Sequence, residues 1–591
     1  MSLSSGQPRL PSLALAKKRT KGSFRLVGLA IFIGVVTGLM VVAVQELVPF
    51  LQRAFLGFAA ERRVALPNHA SWLRIFLSLA VGGVAITFVY RWLMHFAKRE
   101  PIDAVEANAL WGGNMTWLDA AAVVIPILIS VSCGASVGIE AAVTQLGAVL
   151  ASKLAVRRGL LRTDRRLMVG AGAAAAIAAA YRAPIAGVFY AFELVLGNYS
   201  KRTLAPIGLA AIAATMTIWA FEGPQKSFSL FENAHVGWTD YPLAVVLGFL
   251  SAFTGVAVML LATSFERRLK AWIKDESLRR VAVSGLLTVL ATRFPAVLGS
   301  GHAAVESAAN GGISKGEALG LLGAKVVASA GSLGSGFRGG LFSASLLLGA
   351  LLGQTVAWGL GAIPGLPEVQ PGLCALIGMA AVGAAVIGAP LTMIFLAIET
   401  TGDFDAGVVV AIGAMTASFL TDRLFGYSFA TWRFQQRGLA LEGGQDVARL
   451  ASTPITDLIR PPKRTVPANA SLGAVMRAIS FAGARGTAVI TQDGEYLGLV
   501  DPALVEAFDQ EEGPLPVVAA ELVQTEPGRV TPSSTLAEVI DLLRSSDKAT
   551  LSVLDPKDSR KLIGCIRGRD AFALASSLVE EQRRDDLGVP S

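Results

Sequence analysis

Long apolar stretches alternate with short polar intervals over the first three quarters of the chain. Seven such stretches lie between residues 24 and 220, a polar interval covers residues 221–240, and seven more lie between residues 241 and 425. Several are shorter than the ~20 residues that a straight helix needs to cross a bilayer. The pattern therefore predicts a membrane protein in which some helices stop partway, with ends that are buried in protein or face a watery cavity.

The two sets of stretches repeat one spaced pattern, about 205 residues apart. In each set, a glutamate follows an Ala-Pro pair nine residues after the proline, a glycine precedes that proline by twelve residues, and two earlier glycines lie nine residues apart. These residues are Gly138, Gly147, Gly172, Pro184 and Glu193 in the first set, and Gly340, Gly349, Gly378, Pro390 and Glu399 in the second. Such repeats are typical of transporters with two related halves, whose substrate site lies where interrupted helices meet.

The pattern changes after Leu439, where strand-like runs alternate with amphipathic helical stretches. Two similar units of about 60 residues follow, each with a βαββα order. A tandem of such units is expected to pack as one small soluble α/β lobe. The predicted boundaries are a disordered N-terminus at 1–23, a membrane domain at 24–438 with halves at about 24–220 and 241–430, a linker at 439–452, the two α/β units at 453–511 and 516–580, and a tail at 581–591.

The composition agrees with a membrane protein. Of the 591 residues 53% are hydrophobic and 16% are charged, and the mean hydropathy is +0.55. The net charge is +8, and a basic run from Lys17 to Arg25 precedes the first long apolar stretch. By the positive-inside rule this run places the N-terminus in the cytoplasm. We expect an integral protein of a bacterial-type inner membrane, with both termini cytoplasmic, no cleaved signal peptide and no nucleic-acid partner.

Two glycine-rich segments stand at matching places in the halves, each directly before an apolar helical run. They are Gly134–Ala142 and Gly334–Ala344. Helix N-termini present N–H groups without intrahelical partners and the positive end of the helix dipole, and so bind anions. The segments therefore predict two helix starts that point at one anion site. Close glycine-mediated packing of helices is the alternative interpretation.

The chain resembles the CLC family of chloride channels and chloride/proton exchangers that carry a C-terminal pair of CBS domains. The resemblance spans about residues 24–580 and depends on four stretches: Gly134-x-Ser136-x-Gly138-Ile139-Glu140, Gly334-Ser335-Gly336 to Gly340-Leu341-Phe342, Ala183-Pro184 to Glu193, and Gly378 to Glu399. It implies an all-α polytopic membrane fold with inverted repeats and broken helices, plus a small cytoplasmic α/β domain. It also implies a homodimer in a lipid bilayer that transports chloride or a related anion.

The resemblance further implies which residues form the ion site. Glu140 matches the gating glutamate, whose carboxylate can block the site and whose protonation or outward swing can free it. The implied anion-binding residues are Lys98, Gly138, Ile139, Glu140, Gly340, Leu341, Phe342 and Ala430. Two of these depart from the family, which has an ion-contacting Ser at the place of Lys98 and an ion-contacting Tyr at that of Ala430. Lys98 either attracts the anion or is a basic flank on the cytoplasmic side.

The proton-transfer residue of the family's exchangers is also missing. It would directly follow Glu193, where this chain has Leu194. We therefore favour a passive, glutamate-gated anion channel that is regulated through the CBS pair. A chloride/proton antiporter on the same fold is the first alternative, and a transport-deficient membrane sensor is the second. Glu193 and its repeat equivalent Glu399 are expected to form buried hydrogen bonds.

The C-terminal units carry a weak signal for a ligand. CBS pairs often bind adenine nucleotides, and the resemblance implies contacts from Asp501, Arg567 and Asp570. A regulatory or dimerising role without a nucleotide is the alternative, so no cofactor is certain. The four histidines and three cysteines are scattered without a metal-binding spacing, and no catalytic constellation is present in the sequence. We predict neither an enzyme nor a metal site.

Overall fold

The chain divides into two compact units in a computed structural model, Met1–Arg433 and Phe434–Ser591. Each unit has its own hydrophobic core. The structure describes residues 13–62, 71–96, 101–224, 236–310, 312–364, 369–429, 431–432, 453–462, 464–482, 488–492, 495–500, 517–523, 530–546, 550–556 and 560–587.

The described part of the first unit is built from α-helices. Their bounds are α1 Leu13–Phe55, α2 Trp72–Phe96, α3 Ala104–Leu110, α4 Trp117–Ser132, α5 Glu140–Arg157, α6 Arg162–Tyr181, α7 Pro184–Tyr190, α8 Lys201–Glu222, α9 Asp240–Trp272, α10 Glu276–Arg293, α11 His302–Ala309, α12 Lys315–Ser335, α13 Phe342–Gly361, α14 Pro371–Ile387, α15 Pro390–Thr401 and α16 Phe404–Leu424. A π-helical turn, Ala191–Leu196, continues α7.

Helix length separates two classes among the described helices of this unit. Seven are long and apolar enough to cross a membrane, namely α1, α2, α8, α9, α12, α13 and α16. Four apolar segments are shorter, namely α4, α7 with its π-helical turn, α14 and α15. The residues before α7 and α15, Ala183 and Ala389, are fully buried. The prediction of helices that stop partway, with ends buried in protein, is therefore confirmed.

The N-terminal prediction needs a correction. Disorder was expected for residues 1–23, but α1 begins at Leu13. The segment from Leu13 to Lys21 consists mainly of Leu, Ala, Lys and Arg, which are strong helix formers, and it leads directly into the apolar stretch from Phe24. Local helix propensity thus extends the first helix backwards into the basic run. Residues 1–12 lie outside the described residues.

The two halves of the first unit repeat the same close helix contacts. α14 and the part of α6 from Leu167 onward are alanine- and glycine-rich and are almost wholly buried. A Cβ atom on Gly147 of α5 would lie 2.9 Å from the carbonyl carbon of Gly172 in α6. A Cβ atom on Gly349 of α13 would lie 2.5 Å from the carbonyl carbon of Gly378 in α14. These four glycines of the repeated pattern therefore allow backbones to touch, as small residues do in membrane helices.

The repeated glutamates cross between the halves. The carboxylate of Glu193 accepts hydrogen bonds from the backbone N–H groups of Leu391 and Thr392, both at 2.9 Å, at the start of α15. The carboxylate of Glu399 accepts those of Ile185 and Ala186, at 2.9 and 2.8 Å, at the start of α7. Each half thus caps a proline-initiated helix of the other, and a carboxylate is favoured at a helix N-terminus. The expectation that both residues form structural hydrogen bonds agrees with this geometry.

The second unit has the α/β character that the sequence predicts. Its described strands are β1 Thr465–Pro467, β2 Ala488–Gln492, β3 Glu495–Val500, β4 Thr550–Leu554 and β5 Leu562–Arg567, and its described α-helices are α17 Leu472–Ala482, α18 Leu536–Ser546 and α19 Gly568–Leu587. β1 pairs with β2 in parallel and β2 with β3 in antiparallel. The later strands repeat this, since Val530 bridges Val553 in parallel and β4 pairs with β5 in antiparallel.

Candidate functional site

Two helix starts meet between the halves of the first unit. The backbone N–H of Gly138 donates to the carbonyl of Gly340 at 2.9 Å, and the N–H of Gly340 donates back to Gly138 at 3.3 Å. α5 begins two residues after Gly138, and α13 begins two residues after Gly340. The two glycine-rich segments therefore lie side by side, while their convergence on one anion site stays a prediction.

A left-handed glycine lies at or near the start of each of the two segments. Gly134 follows the end of α4 with φ +99°, and Gly336 follows the end of α12 with φ +100°. Residues with a Cβ atom rarely adopt this conformation, so glycine is needed where the chain turns so sharply from one helix toward the next. The turns let α5 and α13 begin in the interior of the protein. Both helix starts are thereby carried to the boundary between the halves.

The residues that precede α5 and α13 leave their N-termini uncapped by side chains. The N-cap residues are Ile139 and Leu341, and neither side chain accepts a hydrogen bond from the helix backbone. Ser, Thr, Asp or Asn at these positions would occupy an N–H group of the first turn. Aliphatic caps instead leave the first N–H groups of both helices to another acceptor. This local choice of residues suits a place where an anion binds.

Reciprocal serines hold the two entry segments in place. The backbone N–H of Ser136 donates to the hydroxyl of Ser332 in α12 at 3.1 Å. The backbone N–H of Arg338 donates to the hydroxyl of Ser130 in α4 at 3.0 Å. The donors and the acceptors are each 202 residues apart, so the same bond is made twice across the repeat. Each half thereby fixes the backbone of the other just before a helix start.

The carboxylate of Glu140 lies at this junction. Glu140 is the first residue of α5 and is 7% exposed. Its Oε1 atom accepts a hydrogen bond of 2.7 Å from the phenol of Tyr181 and a second, short one from the hydroxyl of Ser343. The Oε2 atom is buried and has no hydrogen-bond partner among the described residues. One carboxylate oxygen is thus held firmly between α5, α6 and α13, while the other is left unsatisfied.

Sequence reasoning found Glu140 but missed its two partners. Tyr181 is the last residue of the buried helix α6, and its ring centroid lies 5.1 Å from that of Phe342. Ser343 follows Phe342 in the first turn of α13. The available signal for Tyr181 was a hydroxyl-bearing side chain at the end of the apolar run that begins at Leu167. For Ser343 the signal was its place directly beside the predicted site residues.

A partly open cavity of about 230 Å³ reaches Glu140 from one side. Ile139, Glu140, Tyr181 and Ser343 contribute to its lining. Charged side chains also line it, namely Glu46, Glu61, Arg62, Arg182 and Glu222. Arg62 pairs with Glu46 at 2.8 Å, and Arg182 pairs with Glu222. The lining is thus mixed, with apolar and charged side chains, and the cavity is large enough to admit water to the side of Glu140.

The remaining predicted site residues fall in other places. Lys98, Ala430 and Asp501 lie outside the described residues. Arg567 is the last residue of β5, and Asp570 is in the first turn of α19, where its carboxylate lies 3.3 Å from Arg569. The described residues thus place Arg567 and Asp570 at one strand-to-helix corner of the second unit. A nucleotide contact from these residues stays a prediction.

The sequence matches a protein-family model and several curated proteins. The model is described as "Voltage gated chloride channel" and matches residues 82–422. A ClcB-like chloride channel protein of Ralstonia nicotianae is 31% identical over 407 residues, which are 66% of this chain and 92% of the relative. The voltage-gated ClC-type chloride channel ClcB of Salmonella dublin is 28% identical over 411 residues, which are 68% of this chain and 97% of the relative.

Solved structures share the fold. A slow cyanobacterial Cl⁻/H⁺ antiporter matches with a TM-score of 0.60 and 19% identity, over 70% of this chain and 98% of its own. A CLC-type fluoride/proton antiporter matches with a TM-score of 0.56 and 22% identity, over 69% of this chain and 96% of its own. A eukaryotic CLC transporter matches with a TM-score of 0.58 and 18% identity, over 93% of this chain and 98% of its own.

Proposed function

Because the chain belongs to the voltage gated chloride channel family and so performs CLC-type anion transport, we propose that it exchanges chloride for protons through Glu140. The single observation that carries the proposal is the position of the Glu140 carboxylate, buried between the starts of α5 and α13. A carboxylate and a transported anion have the same charge and compete for the same helix ends. Protonation of Glu140 removes its charge, and the anion can then take its place.

The geometry supports a carboxylate that can leave. Its Oε2 atom has no partner among the described residues, and a buried polar atom without a hydrogen bond loses about 1–3 kcal/mol relative to water. The cavity beside Glu140 offers that water. In the proposed cycle, the ionised carboxylate first occupies the site. A proton then arrives from the cavity, the neutral side chain swings outward, and the anion enters. Release of the proton returns the carboxylate and expels the anion.

The proposed anion contacts differ in one respect from the sequence-based set. The backbone N–H groups of Gly138 and Gly340 each donate to the carbonyl oxygen of the other residue, and they are therefore not available to an ion. We therefore assign the contacts to the backbone amides of Ile139, Leu341 and Phe342, and we assign to the two glycines the role of joining the helix starts. Lys98 and Ala430 keep their proposed places at the site from the sequence alone.

Chloride is proposed as the anion because the sequence relatives are described as chloride channels. Proton coupling is proposed because the buried carboxylate of Glu140 can take up a proton, and because two solved structures of this fold are described as proton antiporters. We also propose a homodimer, cytoplasmic termini and regulation by a C-terminal CBS pair. These features rest on the sequence resemblance.

A passive chloride channel is the second candidate, and Leu194 favours it. This residue takes the place where an exchanger of the family has its inner proton acceptor, and the neighbouring carboxylate of Glu193 is bound to the start of α15. An aliphatic side chain cannot carry a proton. Exchange in this protein would then need another route for the proton, such as a chain of water molecules.

Chloride and proton movements measured together in liposomes test the proposal. Purified protein is reconstituted with a chloride gradient, and an external chloride electrode and a pH electrode record both fluxes. An exchanger drives protons against their gradient as chloride leaves, a channel releases chloride without proton movement, and a transport-deficient sensor does neither. Glu140→Gln is expected to abolish proton movement in the exchanger. Chloride flux without proton movement in the unmodified protein contradicts exchange and supports the channel.

A further inference from the structure

We propose that the hydroxyl groups of Tyr181 and Ser343 are direct ligands of the transported anion, in the position that the Oε1 atom of Glu140 fills in this structure. This inference rests on the proposed function and deepens it, since it names side-chain ligands for the site. The carboxylate oxygen here stands for a bound anion. Its surroundings therefore show which donors an anion at the same place would meet.

The two hydroxyls converge on one point. Both donate to the same carboxylate oxygen, and the phenol oxygen of Tyr181 lies 3.1 Å from the hydroxyl oxygen of Ser343. Each of the two residues is only 2% exposed. Tyr181 comes from the end of α6 in the first half, and Ser343 comes from the first turn of α13 in the second. The two hydroxyl donors thus lie at the boundary between the halves, where α5 and α13 also begin.

Hydrogen-bond accounting explains why these hydroxyls need an anion when the gate opens. If the Glu140 side chain swings away, the two hydroxyls lose their common acceptor. The two hydroxyl oxygens lie 3.1 Å apart, and the space that the carboxylate oxygen leaves is within hydrogen-bonding reach of both. Buried donors in proteins are nearly always paired. An anion in that space accepts from both hydroxyls at once, as the carboxylate does here.

The positions of the donors are fixed before an ion arrives. The ring of Tyr181 packs against that of Phe342, with centroids 5.1 Å apart and an interplanar angle of 34°. The hydroxyl of Ser343 sits in the first turn of α13, beside the positive end of that helix. Donors that need no rearrangement bind a dehydrated ion with less loss of conformational entropy.

The sequence lacks the two side chains that contact the ion in the family. Tyr181 and Ser343 supply hydroxyl donors instead, from α6 and α13. The positions that match the family's Ser and Tyr are Lys98 and Ala430 here. A hydroxyl donor stabilises an anion by a charge-assisted hydrogen bond, which is stronger than a bond between neutral groups. The two hydroxyls thus add side-chain donors to the backbone N–H groups that we assign to the anion.

A simpler role is that the hydroxyls only latch the closed gate. Removal of the carboxylate distinguishes the ligand role from the latch role, because hydroxyls that only hold Glu140 should not affect anion binding when Glu140 is absent. We therefore choose the full-length Glu140→Ala protein as the background and measure chloride binding by isothermal titration calorimetry in detergent. Tyr181→Phe and Ser343→Ala are added singly. Each is expected to weaken chloride affinity about ten- to a hundredfold in this background, the range of one hydrogen bond to a charge.

Matched controls remove a hydroxyl without touching the proposed ligand position. Tyr190→Phe alters another tyrosine whose ring faces Phe342, at 6.3 Å between centroids. Ser345→Ala removes a hydroxyl of α13 that donates to the backbone carbonyl of Phe342 at 2.7 Å. Both are expected to bind chloride as the Glu140→Ala protein does. Ser343→Thr keeps a hydroxyl and is expected to retain most of the affinity, which separates the loss of a ligand from a failure to fold.

The outcomes distinguish this inference from the proposed function. If the Glu140→Ala parent binds chloride and the hydroxyl variants bind it equally well, the two residues are a latch, and only the ligand role is overturned. If the parent binds no chloride, the proposed anion site itself is wrong and the ligand role falls with it. A weakened affinity in Tyr181→Phe and Ser343→Ala, with normal binding in the two controls, supports direct ligation.

Discussion

The hydroxyl of Ser332 accepts the backbone N–H of Ser136 at 3.1 Å, so a helix of the second half fixes the segment that leads to Glu140 in the first. The bond between Arg338 and Ser130 repeats this in the opposite direction, at 3.0 Å. All four residues lie within or directly beside the glycine-rich segments and their preceding helices. The site is therefore an assembly of the two halves, and neither half can set its geometry alone.

This relationship predicts the effect of removing a supporting serine. Ser332→Ala leaves the buried amide of Ser136 without its acceptor, and the free energy of unfolding is expected to fall by about 1–3 kcal/mol. The start of α5 should also shift, so chloride flux in liposomes is expected to drop. Ser130→Ala should act in the same way through α13. Thermal unfolding and flux are measured on the same preparations.

Ser335→Ala is the matched control for the supporting serines. Its hydroxyl is also buried in α12, but it donates to the carbonyl of Ser332 within its own helix, at 3.0 Å. We expect this variant to lose little stability and to keep the wild-type flux. Equal flux in Ser332→Ala and Ser335→Ala would show that the cross-half bond does not position the site.

Glu140→Gln is expected to remove most of the pH dependence of chloride flux. The proposed gate opens when the carboxylate is protonated, so flux through the unmodified protein should rise as the pH falls. Glutamine has nearly the same shape and no titrating proton, and it resembles the neutral side chain at every pH. Flux is recorded in liposomes from pH 4 to pH 8.

A remote carboxylate provides the control for the gate. Glu266 is partly exposed and pairs with Lys270 one helical turn away, at 2.6 Å, on α9. Glu266→Gln should leave the pH profile unchanged. A Glu140→Gln protein whose flux still rises steeply on acidification would exclude Glu140 as the gate and require another titrating group.

Much of this arrangement could be predicted from the sequence, because the repeat places the same residue types at the same spacing in both halves. The glycines at 138 and 340 and the prolines that start α7 and α15 are recognisable by residue type and spacing. Glu140 is recognisable as a carboxylate beside a helix start. These features are local, so neighbouring residues in the sequence are enough to indicate them.

The rest depends on contacts between distant residues. Tyr181 is separated from Glu140 by 41 positions and Ser343 by 203, and either residue could equally have packed into the core. Ser130 and Ser332 look like ordinary helix serines until the other half is placed beside them. The N-terminal prediction was wrong because the basic residues near Lys17 were interpreted by charge alone, while their helix propensity continues α1 back to Leu13.

The crossed glutamates predict paired losses of stability. Glu193→Ala uncovers two N–H groups at the start of α15, and Glu399→Ala uncovers two at the start of α7. We expect both variants to unfold at lower temperature, with a loss of about 1–2 kcal/mol in the free energy of unfolding for a lost cap. The loss should be larger for Glu193→Ala, because Glu193 also accepts the hydroxyl of Thr392 at 2.7 Å. Thermal unfolding in detergent measures the change.

The ratio of protons to chloride ions transported distinguishes a structural cap at Glu193 from a proton carrier. If Glu193 only caps α15, the number of protons moved per chloride should be the same in Glu193→Gln as in the unmodified protein, even if the rate falls. Glu399→Gln is the matched comparison, because it alters the equivalent cap on the other half. A loss of proton movement that is confined to Glu193→Gln would assign Glu193 to the proton route.

The glycine contacts between helices predict a steric effect that is the same in both halves. Gly349→Ala places a methyl group 2.5 Å from the carbonyl carbon of Gly378, which is closer than any real contact allows. α13 and α14 must then separate, and overpacking of this kind destabilises a protein by about 1–3 kcal/mol. Gly147→Ala should have the same effect on α5 and α6.

Gly208→Ala in α8 is the control for these two glycine variants, because a Cβ atom there meets nothing within 4 Å. Since α5 and α13 carry the two helix starts, the first two variants should also lower chloride affinity, whereas unchanged stability and affinity would mean that these helices are not held at backbone contact.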